Sequence, residues 1–222
     1  MNDLTILYYT ANRLQPSIAK RIRDNLLEVA RDIPIISISH EPIDFGHNVC
    51  VGKISYSTYS IYKQILIGAM CAHTEYVACC EDDALYPSDH FYCRPPKDTF
   101  GYNINKWWVN PTEFFYRPRI NMIGCIVETV LMVEILSERF FRFPRVLGLD
   151  ELHGWGEPGK EKHISGLKNP PISTFSTLQP IIAFNHSDST GGKRRITRKH
   201  QTKSEIDGIG TASQVWRKFY GN

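Results

Sequence analysis

The sequence has no apolar run long enough to cross a bilayer. Its longest apolar stretches break off well short of the roughly 18–20 residues that a span requires. It has no internal repeat and no low-complexity tract, and its charge is too modest for a disordered chain. Its six cysteines (Cys50, Cys71, Cys79, Cys80, Cys93, Cys125) include no C-x2-C pair, so no zinc framework is indicated. The start, Met1-Asn2-Asp3-Leu4, lacks the basic region of a signal peptide. Together these absences lead us to expect a cytoplasmic protein with free, buried thiols, in which Cys79 and Cys80 act as small hydrophobes. What is there is ordinary globular material: 222 residues, 42% hydrophobic and 22% charged. That suffices for one large domain or two small ones.

The net charge of +3 hides an asymmetry. Residues 191–222 carry eight Lys/Arg against two acids, whereas the rest carries 18 basic and 21 acidic side chains. A near-neutral body thus ends in a basic segment suited to an anionic partner.

Along the chain, Leu4–Thr10 reads as a buried first strand, and Pro16-Ser17 opens a helix with Ile18, Ile22, Leu26 and Val29 on one face. Ile35–Ser39 follows as a second strand, which favours a right-handed βαβ unit. A glycine-containing loop from Phe45 to Lys53 leads into a helix over 57–73. Tyr76–Cys80 is then a third buried strand running into Glu81-Asp82-Asp83. Beyond it the pattern predicts one or two strands in Phe100–Val109 and a helix within Met122–Phe141. Gly/Pro-rich loops around a short helix span 144–180, and a last strand covers Leu178–Phe184. Of Trp107 and Trp108, neighbours on a strand, one is expected in the core and one exposed or facing the acceptor. The class is α/β: a Rossmann-type mixed sheet flanked by helices, in a single domain with a basic C-terminal segment.

Ligands of such sheets bind beyond the carboxyl ends of the strands. Thr10–Arg13, His40 and Glu81–Asp83 all fall there. Three consecutive acids at the end of an apolar strand repel one another and lose solvation, which a cation relieves. Oxygen ligands of this kind suit Mg²⁺ or Mn²⁺, with substrate phosphates completing the shell. In an extended segment Glu81 and Asp83 share a side and Asp82 points away.

The run Tyr9-Thr10-Ala11-Asn12-Arg13, then a helix, a strand and Tyr76-Val77-Ala78-Cys79-Cys80-Glu81-Asp82-Asp83-Ala84-Leu85-Tyr86-Pro87, resembles the GT-A-fold glycosyltransferases. In that family an apolar strand delivers a D-x-D-type motif to a divalent metal and the diphosphate of a nucleotide-sugar. The resemblance covers about the first ninety residues, with Glu81 in the first motif position. It implies Asp83 as a metal ligand and Glu81 or Asp82 near the ribose. It also places Thr10, Asn12 and Arg13 at the base and ribose, and gives a late second metal ligand in His186 of Phe184-Asn185-His186-Ser187. Lys53, which follows a glycine, and Lys193 and Arg194, in a Ser/Gly-rich loop, are candidates for the phosphates. No Walker A sequence is present. An inverting transfer needs a base for the acceptor hydroxyl. Glu157 in Trp155-Gly156-Glu157, similar to acceptor segments of some inverting families, is the first candidate and Asp150 the second, with Glu151 also near. Trp155 is expected to shape the acceptor pocket or stack on a ring.

The leading expectation is a metal-dependent hexosyl- or pentosyltransferase. Residues 1–90 would form its nucleotide-sugar half and 91–190 its acceptor half, with 191–222 closing on the diphosphate or the acceptor. The aromatics among cations in Trp216-Arg217-Lys218-Phe219-Tyr220 suggest DNA bearing a base hydroxyl as acceptor, as in bacteriophage DNA glycosyltransferases, which work in the host cytoplasm. The alternatives are a metal-dependent nuclease or nucleotidyltransferase, and a non-catalytic nucleic-acid-binding module.

Overall fold

The computed structural model describes residues 3–144, 155–160, 166–187, 196 and 200–221. Strand β1 (Leu4–Thr10), helix α1 (Pro16–Ala30) and strand β2 (Ile35–Ser39) form the expected βαβ unit, with both strands buried and parallel. Helix α1 has proline in its first turn, where the missing N–H costs nothing, and turns Ile18, Ile22, Leu26 and Ala30 inward. The loop expected after β2 instead contains strand β3 (His47–Cys50), parallel to β2 at the sheet edge. Its exposed and half-buried pattern gave no apolar signal to find.

Helix α2 (Thr58–Cys71) is capped by the Ser57 hydroxyl, which accepts from Ser60 N. Gly68 lets it lie close on the sheet, because a Cβ there would stand 2.5 Å from Ile38 Cδ1. Strand β4 (Tyr76–Glu81) pairs parallel with β1 in the centre, and β5 (Ala84–Leu85) follows it at once. After a 3₁₀ turn (Ser88–Tyr92), the aromatic run becomes two strands, β6 (Phe100–Asn103) and β7 (Lys106–Val109), and these enter different sheets. β8 (Phe114–Tyr116) pairs antiparallel with β7.

The helix expected within Met122–Phe141 forms in its second part. A 3₁₀ turn (Met122–Gly124) and strand β9 (Cys125–Glu128) precede helix α3 (Thr129–Arg142). Cys-Ile-Val is buried on both faces, so it shows no alternation to mark it as a strand. β10 (Ile172–Phe175) and β11 (Ile181–Phe184) follow, then β12 (Thr202–Lys203), β13 (Glu205–Ile206), β14 (Gly210–Thr211) and helix α4 (Ala212–Tyr220).

The main sheet has seven strands in the order β10-β6-β9-β4-β1-β2-β3, mixed in direction. A five-stranded sheet runs β12-β8-β7-β11-β5. One face of the main sheet (Leu7, Tyr9, Val77, Cys79) packs under α2 and α3. The other (Ile6, Tyr8, Ala78, Cys80) meets α1 and the second sheet through Trp108, Phe115 and Ile181. Because layers cover both faces of the second sheet, Trp107 and Trp108 are both buried, contrary to the expectation of one exposed ring. No helix among the described residues is long and apolar enough to cross a membrane.

Candidate active site at the strand ends

β1 and β4 run parallel in register, Tyr9 opposite Glu81, so both chains leave the sheet at one edge. The strand ends at Glu81, and Asp82 and Asp83 turn out of it. The alternation expected for the three acids therefore fails. Glu81 stays with the sheet, its carboxylate 3.4 Å from the Tyr9 hydroxyl and its N–H donating to Tyr86 Oη at 2.9 Å. Asp82 and Asp83 act together on the other side of the turn. The Thr10 hydroxyl donates to Asp82 Oδ2. Burial and then the Asp83 charge push the Asp82 carboxyl up to about 7, with the Thr10 bond opposing them.

Asp83 is fixed from behind: its carbonyl accepts from Phe184 N at 2.9 Å, which ties the turn to β11. Two residues beyond β11, His186 Nε2 lies 3.1 Å from Asp83 Oδ2. The two groups are 103 residues apart in sequence, yet both are largely enclosed, with side-chain exposures of 8% and 13%. The fold thus brings together the carboxylate and the imidazole named from the sequence. Among the described residues no group of three or more His, Cys, Asp or Glu side chains converges into a cage. Asp83 and His186 fit a hard divalent cation that takes one or two protein ligands and fills its shell with phosphate oxygens and water.

The neighbours assigned to the nucleotide are mostly engaged by the protein itself. Asn12 has a left-handed backbone (φ 55°), and its N–H donates to Thr10 Oγ1 at 2.9 Å. Its Oδ1 accepts from His40 N and Glu41 N at 2.9 and 3.0 Å, stitching the end of β1 to the end of β2. Gln64, which the sequence pattern did not single out, donates from α2 to Thr10 O and Ile38 O, both at 2.9 Å. Arg13 lies 4.0 Å over the Tyr56 ring. Lys53 is exposed and pairs with Glu41 at 3.2 Å. His40 is buried, which lowers its pKa, and its Nε2 has no hydrogen-bond partner.

On the far side of β4 lies a second set of charges. Glu157 is buried; its Oε1 accepts from Met122 N at 3.1 Å and its Oε2 pairs with Lys160. Gly156 sets this segment against Tyr62, where a Cβ would stand 2.6 Å from the ring. Trp155 has no exposed surface and packs edge-on against Tyr62 and Phe140, so of the two roles expected for it, stacking on a ligand is closed to it. Arg139 of α3, also fully buried, donates to Trp155 O and, at 3.3 Å, to Lys168 O, holding the segment from both ends. Lys106 was missed from the sequence, hidden in an aromatic strand. It is buried, donates to Arg119 O and Asn121 Oδ1 at 2.6 and 2.5 Å, and has its pKa pushed down to about 8 by burial, against the pull of Glu157. Asp150, Glu151, Lys193 and Arg194 lie outside the described residues. So does most of the basic run, while residues 200–221 return to the fold through β12 on β8 and α4 on α1.

An α/β domain with a carboxylate–imidazole pair at the edge of its parallel strands is the class that fold and site define. No protein-family model and no curated protein matches the chain. Among solved structures, it is similar to a glycosyltransferase involved in glycosylation of the major capsid of the virus PBCV-1, at 11% identity and a TM-score of 0.48, covering 82% of this chain and 92% of that one. S. aureus TarS 1-349 in complex with UDP-GlcNAc is similar at 13% identity and a TM-score of 0.48, over 88% of this chain and 60% of that one. Drosophila β1,4-galactosyltransferase 7, in complex with manganese, UDP-Gal and xylobiose, gives 12% identity and a TM-score of 0.43, over 88% and 76%. At such scores the likeness is loose, and the functional reading stands on this chain's own geometry.

Proposed function

We propose that the protein is a divalent-metal-dependent glycosyltransferase that moves a sugar from a nucleotide-sugar to an acceptor hydroxyl. The observation that carries this reading is the meeting of Asp83 and His186 at the carboxyl edge of β1 and β4, beside the Asp82–Thr10 pair. Asp83 and His186 would hold Mn²⁺ or Mg²⁺, which supplies positive charge to the diphosphate as it leaves. Thr10, Asn12 and Arg13 at the end of β1, with Lys53 in the loop after β3, are proposed for the nucleoside side. Lys193 and Arg194 are proposed for the phosphates.

Glu157 remains the proposed base, with Asp150 second. Its present partners bear on that role. A carboxylate bonded to Met122 N and Lys160 is held in one orientation, and it must release Lys160 to accept a proton from an acceptor. For the acceptor we name no more than a hydroxyl. Hydroxylated DNA drew on the basic run and the rings of 216–220. Phe219 is buried, and Trp216 and Tyr220 pack around Phe184, so those rings serve the fold.

The test is release of nucleoside diphosphate from a panel of nucleotide-sugars with Mn²⁺. Turnover is expected with at least one donor, and a fall on the order of a hundredfold in Asp83→Ala, as for loss of a group acting on transition-state charge. Cleavage of plain DNA in the same buffer, without donor turnover, would move the site to a nuclease.

A further inference from the structure

Helix α4 ends beside His186 and is fastened at both of its ends. Thr211 and Gln214 form a reciprocal capping box at its start. Near its other end, Arg21 Nε of α1 donates to Phe219 O at 2.8 Å. Ala212, Val215 and Phe219 are buried in one cluster with Leu14, Ile18 and Ile22. These fixtures place Tyr220. Its ring lies 4.8 Å from Phe184, the last residue of β11, and stacks on Trp216 at 4.6 Å and 25°. Its other neighbour is the His186 imidazole, at 5.6 Å and 45°.

His186 is two residues past β11, and the preceding Asn185 N donates to Val109 O at 2.8 Å. Among the described residues, Asp83 meets the His186 ring at Nε2 and the Tyr220 ring lies beside it. An imidazole turning about two side-chain bonds binds a cation well only if its orientation is fixed in advance, and loss of an orienting neighbour costs on the order of 10–100-fold in metal affinity. We propose that Tyr220 is a positioning residue for His186, so that the C-terminal helix forms one wall of the cation site. This rests on the metal-site reading above and goes beyond it, since neither the acid motif nor the late histidine implies a role for α4.

The experiment is Mn²⁺ titration of the full chain, followed by the loss of the free-ion electron paramagnetic resonance signal, with thermal melts of the same samples. Four proteins are compared: wild type, Tyr220→Phe, Tyr220→Ala and Val215→Ala. The last loosens α4 from α1 at a residue outside the His186 contact. The expected results are affinity within about twofold of wild type for Tyr220→Phe, which keeps the ring, and a loss of about tenfold for Tyr220→Ala. Val215→Ala should lower the melting temperature while leaving Mn²⁺ affinity near wild type. Unchanged affinity in Tyr220→Ala overturns the proposal, as does an equal loss in Val215→Ala, which would trace the effect to helix stability. Absence of Mn²⁺ binding in wild type would overturn the metal-site reading itself, and the positioning role with it.

Discussion

His90 shows how strongly this interior selects a charge state. It has no exposed surface, stacks on Phe175 at 5.7 Å and touches Tyr86 and Phe91. Asn103 Nδ2 lies 3.4 Å from its Nδ1, which assigns the proton to Nε2. Burial, with Lys106 nearby, pushes its pKa down to about 3. The unfolded chain takes up a proton here near pH 6.5, while the folded chain does not until about pH 3. Stability is therefore lost as pH falls through that window and is fully present above it. Urea midpoints of wild type and His90→Phe at pH 7, 5 and 4 should converge or cross in favour of the variant as pH falls. Parallel midpoints would contradict the burial of a neutral imidazole. Nothing in the sequence marks His90: it follows Pro-Ser-Asp in what looks like a turn, and only the later arrival of β10 encloses it.

At the scale of elements, legibility followed the chemistry of each segment. Strands β1, β2 and β4 were readable because continuous apolar, β-branched runs end in turn residues. β9 was not, since it runs straight into α3 with no punctuating glycine or proline. The acid triad was found as a cluster but misread in direction: alternation holds only while the strand lasts, and β4 stops at Glu81. The Trp155–Glu157 segment was singled out for the acceptor and is built more tightly than the sequence implied, through Arg139, Tyr62 and Gly156. Gly156→Ala should cost about 1–3 kcal/mol, because its methyl group would press on a buried aromatic ring that has no room to yield. Urea denaturation measures this directly, and a change within about 0.5 kcal/mol, the range of a surface substitution, would show that the segment is looser than described.

At the scale of the molecule, the site exists because distant parts of the chain meet. Asp83 comes from the turn after β4, His186 from just past the end of β11, and α4 brings Tyr220 beside His186. The second sheet that carries β11 is assembled from strands of two to four residues, and its β7–β11 pair is parallel across a long stretch of sequence. Local pattern cannot announce such a pairing. The sequence could name the carboxylate and the imidazole but not show that they touch, and a basic C-terminal composition concealed a helix that is part of the core.

Asp83 and His186 are proposed to serve one divalent cation. A double-mutant cycle on Mn²⁺ affinity, measured with and without nucleoside diphosphate, tests it most directly. Asp83→Ala and His186→Ala should each weaken binding on the order of tenfold or more, and the double variant should lose much less than the two losses combined. Added diphosphate should tighten Mn²⁺ in wild type and tighten it less in each variant. Wild-type affinity in either single variant, or losses that simply combine in the double, would contradict a shared site.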